Sequence, residues 1–143
     1  DMTELPKFLP ITMDNVNEAH NAMFAEWVRQ LNIKYLEVTR GTVVANYTVA
    51  DQEKFILGGV CGQVLMALMD TIFTVAVCTT DTPNKGTISQ NNSFLRPAIG
   101  EEFIVKAQVK KFGKSITIGE TEIINPNSDK VICHSVSTFS MQP

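Results

Sequence analysis

The sequence predicts an α+β fold: an antiparallel sheet curled about a buried central helix, with an extra helix near the N-terminus. Three observations carry this. Residues 64–78 are apolar on every side except for Asp70, Thr71 and Thr74, the pattern of a helix buried all round. Two strand-like runs precede that stretch and four follow it, each rich in Val, Ile, Thr or aromatic residues. A long all-round apolar helix beside so much antiparallel strand is covered most simply when the sheet wraps it.

Taken in order, residues 1–13 read as an irregular lead-in with Pro6 and Pro10. Asp14 or Asn15 then caps a helix, with Glu18 three residues after Asn15 completing a capping box. Val16, Ala19, Met23, Phe24, Trp27, Val28 and Leu31 recur at helical spacing, so one amphipathic helix is expected to about Asn32. His20 lies at its apolar edge and reads as a packed or surface histidine. Residues 35–39 and 42–49, joined at Arg40-Gly41, form a β-hairpin. Residues 51–57 form a loop leading into Gly58, Gly59 and Gly62, which let the chain turn sharply before the central helix. After a turn-rich connection at 81–86 come strands at 87–95, from Phe103 to the turn at Phe112-Gly113-Lys114, and at 115–124 and 130–141. In the first of these Thr87, Ser89, Asn91 and Ser93 are expected on one face and Ile88 and Phe94 on the other; the polar face reads either as lining a site or as solvated.

Composition narrows the function. With 143 residues and 44% hydrophobic content, one domain over residues 1–143 with a proper core is expected. Twelve Lys plus Arg against 15 Asp plus Glu give a net charge of −3, and no basic cluster exceeds Lys110-Lys111, which argues against nucleic acid as a partner. The longest apolar run is broken by Asp70 and falls short of the roughly 20 residues of a membrane span. Early charge and two prolines in the first ten residues do not read as a secretory signal. The three cysteines, Cys61, Cys78 and Cys133, lack CxxC spacing, which fits a reducing, cytoplasmic setting. With His20 and His134 far apart, no metal site is expected, and no cofactor is implied.

The chemistry concentrates at the central helix. Its glycine-rich approach leaves amides at the first turn free to face a ligand, at the electropositive end of the helix dipole. Asp70 stands among Met66, Ala67, Leu68, Met69, Ile72 and Phe73. An acid so placed is costly unless paired or protonated, and it has two readings. Either it hydrogen-bonds Thr71 or Thr74 and staples the helix to a strand, or it does proton chemistry. Cys61 at the helix start also has two readings, a small lining residue or a nucleophile assisted by His134.

The pieces GGVCGQVLMALMDT, TISQNNSFLRPAIGEEFIVKAQVKKFGKSITIGE and VICHSVSTFSM, with the order of the elements, give the chain its family likeness. From Gly58 to Phe139 it resembles the hotdog-fold acyl-CoA thioesterases of the phenylacetate-pathway (PaaI-like) type. The resemblance implies a hotdog fold, a homodimer or a tetramer built from two dimers, and acyl-CoA as substrate. It implies that the backbone amide of Gly62 holds the thioester carbonyl and that Asp70, from the opposite subunit, is general base or nucleophile. Thr87 orients water or the acid, and Thr74 can touch the carboxylate or substrate. Cys61, Gln63, Phe55 and Asn91 fall among the residues next to substrate, with Phe55, Met66 and Phe73 lining an acyl tunnel. Arg96, Lys111 and Lys114 are candidates to meet coenzyme A phosphates. The sequence departs from the family where many members have His-Gly-Gly, here Cys61-Gly62-Gln63, and a polar residue near Phe55. Those departures define the alternative, a non-catalytic acyl-CoA or fatty-acyl binding protein; retained Asp70 favours the enzyme. Burial is expected to raise the pKa of Asp70 and make it a better base.

Overall fold

A computed structural model describes residues 5–142; of the irregular lead-in, residues 1–4 lie outside the described residues. Three helices and six strands follow in chain order: α1 (Val16–Met23), α2 (Glu26–Arg29), β1 (Asn32–Thr39), β2 (Thr42–Thr48), α3 (Gly62–Val77), β3 (Asn84–Phe94), β4 (Glu102–Phe112), β5 (Ile116–Ile124) and β6 (Val131–Met141). The strands make one antiparallel sheet in the order β1-β2-β4-β5-β6-β3, which leaves β1 and β3 at the edges. Helix α3 connects β2 to β3, so it must traverse the whole sheet, and it packs against β2, β3, β4, β5 and β6.

Period-two burial decides which face of the sheet the helix covers. Val43, Ala45 and Tyr47 of β2, Phe103, Val105 and Ala107 of β4, and Ile123, Cys133 and Phe139 of β5 and β6 are all buried with Leu68, Met69, Ile72 and Phe73 of α3. Gly119 on β5 sets how closely helix and sheet approach. A Cβ there would lie 2.3 Å from the Gln108 carbonyl oxygen and 2.6 Å from Phe73 Cε2, so the Phe73 ring occupies the space a side chain would need.

Three expectations need correction. The single helix to Asn32 is two, because the chain is extended at Phe24 (φ −97°, ψ 151°) and Ala25 (φ −59°, ψ 153°). The break leaves Trp27 55% exposed, outside the helical stripe it was assigned to. The capping box is not formed. The Asn15 side chain turns back instead, accepting from the Thr12 amide at 2.8 Å and donating to the Phe8 carbonyl at 3.2 Å. It thereby orders the lead-in, whose Phe8 and Ile11 join the core; the Ile11 amide donates to the Cys78 carbonyl at 2.8 Å, beside the C-terminus of α3. Finally, α3 is not buried all round. Gln63, Met66, Asp70 and Thr74 form a stripe at spacings of three and four residues that is exposed or half-buried. No helix among the described residues is long and apolar enough to cross a membrane.

Candidate active site

Helix α3 starts where it does because the loop before it is tied down. Gly58 takes φ +91°, a conformation open to glycine. The Phe55 amide donates to the Gly59 carbonyl at 3.0 Å and the Val60 amide to the Ala98 carbonyl at 3.0 Å. The Cys61 amide donates to the Glu53 carbonyl at 2.9 Å. Glu53 is itself 7% exposed, and its carboxylate accepts from the Tyr47 hydroxyl and, at 3.0 Å, from the Ala50 amide. Burial, and then the bonded Glu53 carboxylate, hold the Tyr47 phenol well above its usual pKa. This pair, which fastens the loop to β2, was not legible in the sequence, where residues 51–57 read only as a loop.

The loop accounts for the amides at the helix start one by one. The amide of Cys61 is used by Glu53 and those of Val64 and Leu65 by the Cys61 carbonyl, at 3.1 and 3.2 Å. Among the described residues, the Gly62 and Gln63 amides have no backbone acceptor, as a helix start leaves them. Around them stand the half-buried, free thiol of Cys61, the exposed Gln63 and the ring of Phe94, 3.7 Å from where a Gly62 Cβ would be, while the Phe55 ring (46% exposed) lies against Gly59.

Asp70 lies on the half-exposed stripe, eight residues further along α3. Thr87 of β3 donates its hydroxyl to Asp70 Oδ1 at 2.9 Å. Burial raises the pKa of the acid above its usual value, and the Thr87 hydrogen bond pulls it part of the way back. Neither Thr71 nor Thr74 bonds this carboxylate. Thr71 is buried, and the Thr74 hydroxyl donates to the Asp70 carbonyl at 2.7 Å, satisfying backbone.

The face expected of β3 is corrected by a bulge. Thr87 pairs with Phe139, but Ser89 pairs with Thr138, so Ile88 is an extra residue and the alternation reverses after it. Gln90 and Asn92, opposite buried Ser137 and Ser135, therefore share the helix-facing side with Thr87. Ser89 and Asn91 turn the other way, Asn91 lying opposite the exposed Val136. Gln90 confirms the placement, since its Nε2 donates to the Met66 carbonyl at 3.1 Å and to Asn92 Oδ1 at 2.8 Å. Sequence alternation points to Asn91 because a bulge leaves no mark in a run of polar residues.

The remaining candidates are dispersed. Arg96 donates through Nη1 to the Val131 carbonyl at 2.6 Å, at the far end of β3. His134 is on the outer face and lies 3.3 Å from Glu120, whose carboxyl it holds below the usual range. The Cys61–His134 arrangement is therefore not formed. Cys78 and Cys133 are buried thiols, each pushed up to about 12 by burial. His20 is 8% exposed, with Nδ1 2.6 Å from the Tyr35 hydroxyl; burial, then the nearby Arg29, lowers its pKa. Of the two readings the sequence left open for it, packed or surface, the packed one holds.

A pair of helix-start amides without acceptors and a half-buried carboxylate with a hydroxyl partner are the polar groups that α3 leaves available to a ligand. A family model described as the Thioesterase superfamily matches residues 57–132. Acyl-coenzyme A thioesterase 13 of Mus musculus is 28% identical over 98 residues, covering 67% of this chain and 70% of that protein. The crystal structure of zebrafish thioesterase superfamily member 2 superposes with a TM-score of 0.83 at 23% identity, covering 92% of this chain and 99% of that one. The E. coli PaaI protein of the phenylacetic acid degradation operon gives 0.80 at 22% identity, covering 91% and 92%. The curled sheet around α3 is thus the hotdog fold.

Proposed function

The chain belongs to the thioesterase superfamily, and from that membership we propose that it hydrolyses acyl-CoA thioesters to free acid and CoA as a single hotdog domain. The observation that carries the reading is the Asp70–Thr87 pair, a carboxylate kept half-buried and held toward the open stripe of α3. Thioester hydrolysis needs a donor for the developing oxyanion and a base for water, or a carboxylate that attacks directly. The amide of Gly62, with that of Gln63 beside it, serves as the donor. Asp70 serves as base or nucleophile, and Thr87 orients the carboxylate. Gln90 fixes the neighbouring helix turn.

The two halves of this machinery cannot serve one carbonyl within one chain. Eight helical residues separate Gly62 from Asp70, about 12 Å of rise, whereas both must approach a carbonyl to about 3 Å. A second copy resolves the distance. Thr87 sits beside Asp70 and Phe94 beside Gly62, both on the unpaired edge strand β3. Antiparallel pairing of two β3 edges about a two-fold axis near Gln90 and Asn91 sets Thr87 of one chain opposite Phe94 of the other. Asp70 then meets the second copy's helix start, and two complete sites result. The exposed Ile88 and Phe94 on β3, Leu95 just after it, and Phe55, Ile56 and Leu57 by the helix start favour such a partner. A homodimer, alone or doubled into a tetramer, is therefore the active form, and the free cysteines suit a reducing cytoplasm.

The test is release of free thiol from a panel of short, medium, long and aromatic acyl-CoAs, run with sedimentation of the same sample. Turnover by a dimer or tetramer is expected. Tight acyl-CoA binding without turnover would place the protein in the non-catalytic class.

A further inference from the structure

At the end of α3 opposite Gly62, a cleft of about 570 Å³ opens between the segment after the helix and the β4–β5 turn. Its lining includes Arg40, Thr80, Thr82, Phe112, Lys114 and Thr117. We propose that this cleft binds the phosphate group of a nucleotide-sized ligand, with Arg40 and Lys114 as its cationic contacts.

Charge is the first argument. The chain carries −3 overall, yet the lining of this cleft contains two cations and no carboxylate. Lys54 pairs with Asp51, Lys110 with Glu120, and Arg96 donates to the Val131 carbonyl, while most other basic side chains are solvated singly; what sets Arg40 and Lys114 apart is that they share one cleft. Among the described residues Arg40 and Lys114 form no ion pair. Arg40 is instead laid over the Phe112 ring, 4.7 Å from its centroid, which holds the guanidinium in place and leaves its in-plane N–H groups to donate. A planar fork of this kind suits a phosphate, with lysine adding a point charge.

Hydroxyl donors are the second. Thr80 Oγ1 accepts from the Thr82 amide at 3.4 Å, so its own proton is free to donate. Thr117 forms part of the cleft floor, its hydroxyl buried and, like those of Thr121, Ser135 and Ser137, without a partner among the described residues.

Size and position are the third. The volume is that of an organic ligand rather than of an inorganic ion. Thr117 pairs with Phe139, which pairs with Thr87, so the cleft floor stands two strand spacings, about 10 Å, from the hydroxyl that holds Asp70. The ligand is either the phosphorylated end of the CoA substrate, in which case the inference rests on the thioesterase reading, or a separate phosphorylated molecule.

Adenosine 3′,5′-bisphosphate, adenosine and ADP are the probes, titrated calorimetrically at low ionic strength into the parent, Arg40→Gln/Lys114→Gln and, as control, Lys34→Gln. The parent is expected to bind the bisphosphate at least tenfold tighter than adenosine, with affinity falling as salt is added. The double variant should lose tenfold or more and Lys34→Gln nothing; each single variant, with one charge kept, should lose an intermediate amount. Equal binding of bisphosphate by parent and double variant, or no preference over adenosine, would overturn the proposal. The source is read from kinetics. Competitive inhibition by the bisphosphate, with KM for acyl-CoA raised and kcat kept in the double variant, assigns the cleft to the substrate. Bisphosphate binding that leaves hydrolysis uninhibited assigns it to a separate ligand. A parent that binds the bisphosphate through these residues but hydrolyses nothing keeps the cleft and refutes the thioesterase.

Discussion

The Thr87 hydroxyl lies 2.9 Å from Asp70 Oδ1, and it joins the central helix to the one edge strand that flanks its open stripe. A bond in this position has two consequences. It holds the carboxylate toward the edge where a second copy is proposed to bring its helix start, and it tunes the acid. Removing the base should therefore separate chemistry from folding. Asp70→Asn keeps an oxygen able to accept from Thr87 and keeps the volume. Hydrolysis is expected to fall by about 10²- to 10⁴-fold, measured as thiol release, with the oligomer unchanged in sedimentation.

The stability of the same variant discriminates an active acid from a structural staple. The pKa of Asp70 is raised in the folded chain, so the folded state holds the proton more tightly than the unfolded one. The stabilisation that follows is complete below the unfolded pKa and is lost as pH rises through the folded value. At neutral pH ionised Asp70 is thus a net liability. Asp70→Asn is expected to unfold at the same or a higher temperature than the parent at pH 7, and to show a smaller advantage at pH 4. A lowered midpoint at pH 7 would make Asp70 a staple.

The pH–rate profile tests the Thr87 bond directly. A base works only when ionised, so kcat/KM should climb with pH and level off above the pKa of Asp70, which burial displaces upward. The Thr87 hydroxyl opposes that displacement. Thr87→Val deletes the hydrogen bond at nearly constant shape, and the rising limb should shift to higher pH. An unshifted limb would detach Thr87 from the acid.

Gly119 supports the site from behind. The Phe73 ring lies over it, one helical turn from Asp70, and a Cβ would also meet the Gln108 carbonyl at the bulge where β4 gains a residue between Val109 and Lys111. Backbone cannot yield as a flexible side chain does. Gly119→Ala is expected to cost at least about 1–3 kcal/mol, read from urea unfolding, and to lower activity by displacing α3.

The features legible in the sequence were those written in periodicity. Twelve apolar residues among the fifteen of 64–78 announced α3, and alternating Val, Ala and Tyr announced β2. Asp70, Gly62 and Thr87 stood out as candidates because an acid in an apolar run, a glycine at a helix start and the first strand after the helix are local signals, given family meaning by the resemblance. What failed was non-local or hidden in polar sequence. The Ile88 bulge exchanged Gln90 for Asn91, and the break at Phe24 left the apolar spacing through Leu31 intact, so nothing in the pattern exposed it. Glu53 was invisible because its partner, Tyr47, reaches it only after the loop folds back on β2. The cleft at Arg40 joins four segments far apart in the chain, and only the one that carries Lys114 was suspected.

The proposed oxyanion donor can be removed without disturbing its surroundings, because of how α3 begins. Gly62 is the first helical residue, and proline is well tolerated there, since its missing N–H is one the helix leaves unpaired. Cys61, the preceding residue, is extended at φ −68° and ψ 150°, the region that a following proline requires. The Cys61 amide that anchors the loop to Glu53 is untouched by the change. Gly62→Pro therefore deletes one donor and little else. Thermal unfolding should stay near that of the parent while kcat falls by about 10²- to 10³-fold, with acyl-CoA still bound. Gly62→Ala, which keeps the amide and sets its Cβ in ordinary contact with Phe94, should retain far more activity than the proline variant. Equal loss in both would mean that space at the helix start matters and the amide does not, and the carbonyl would have to be held by Gln63 instead.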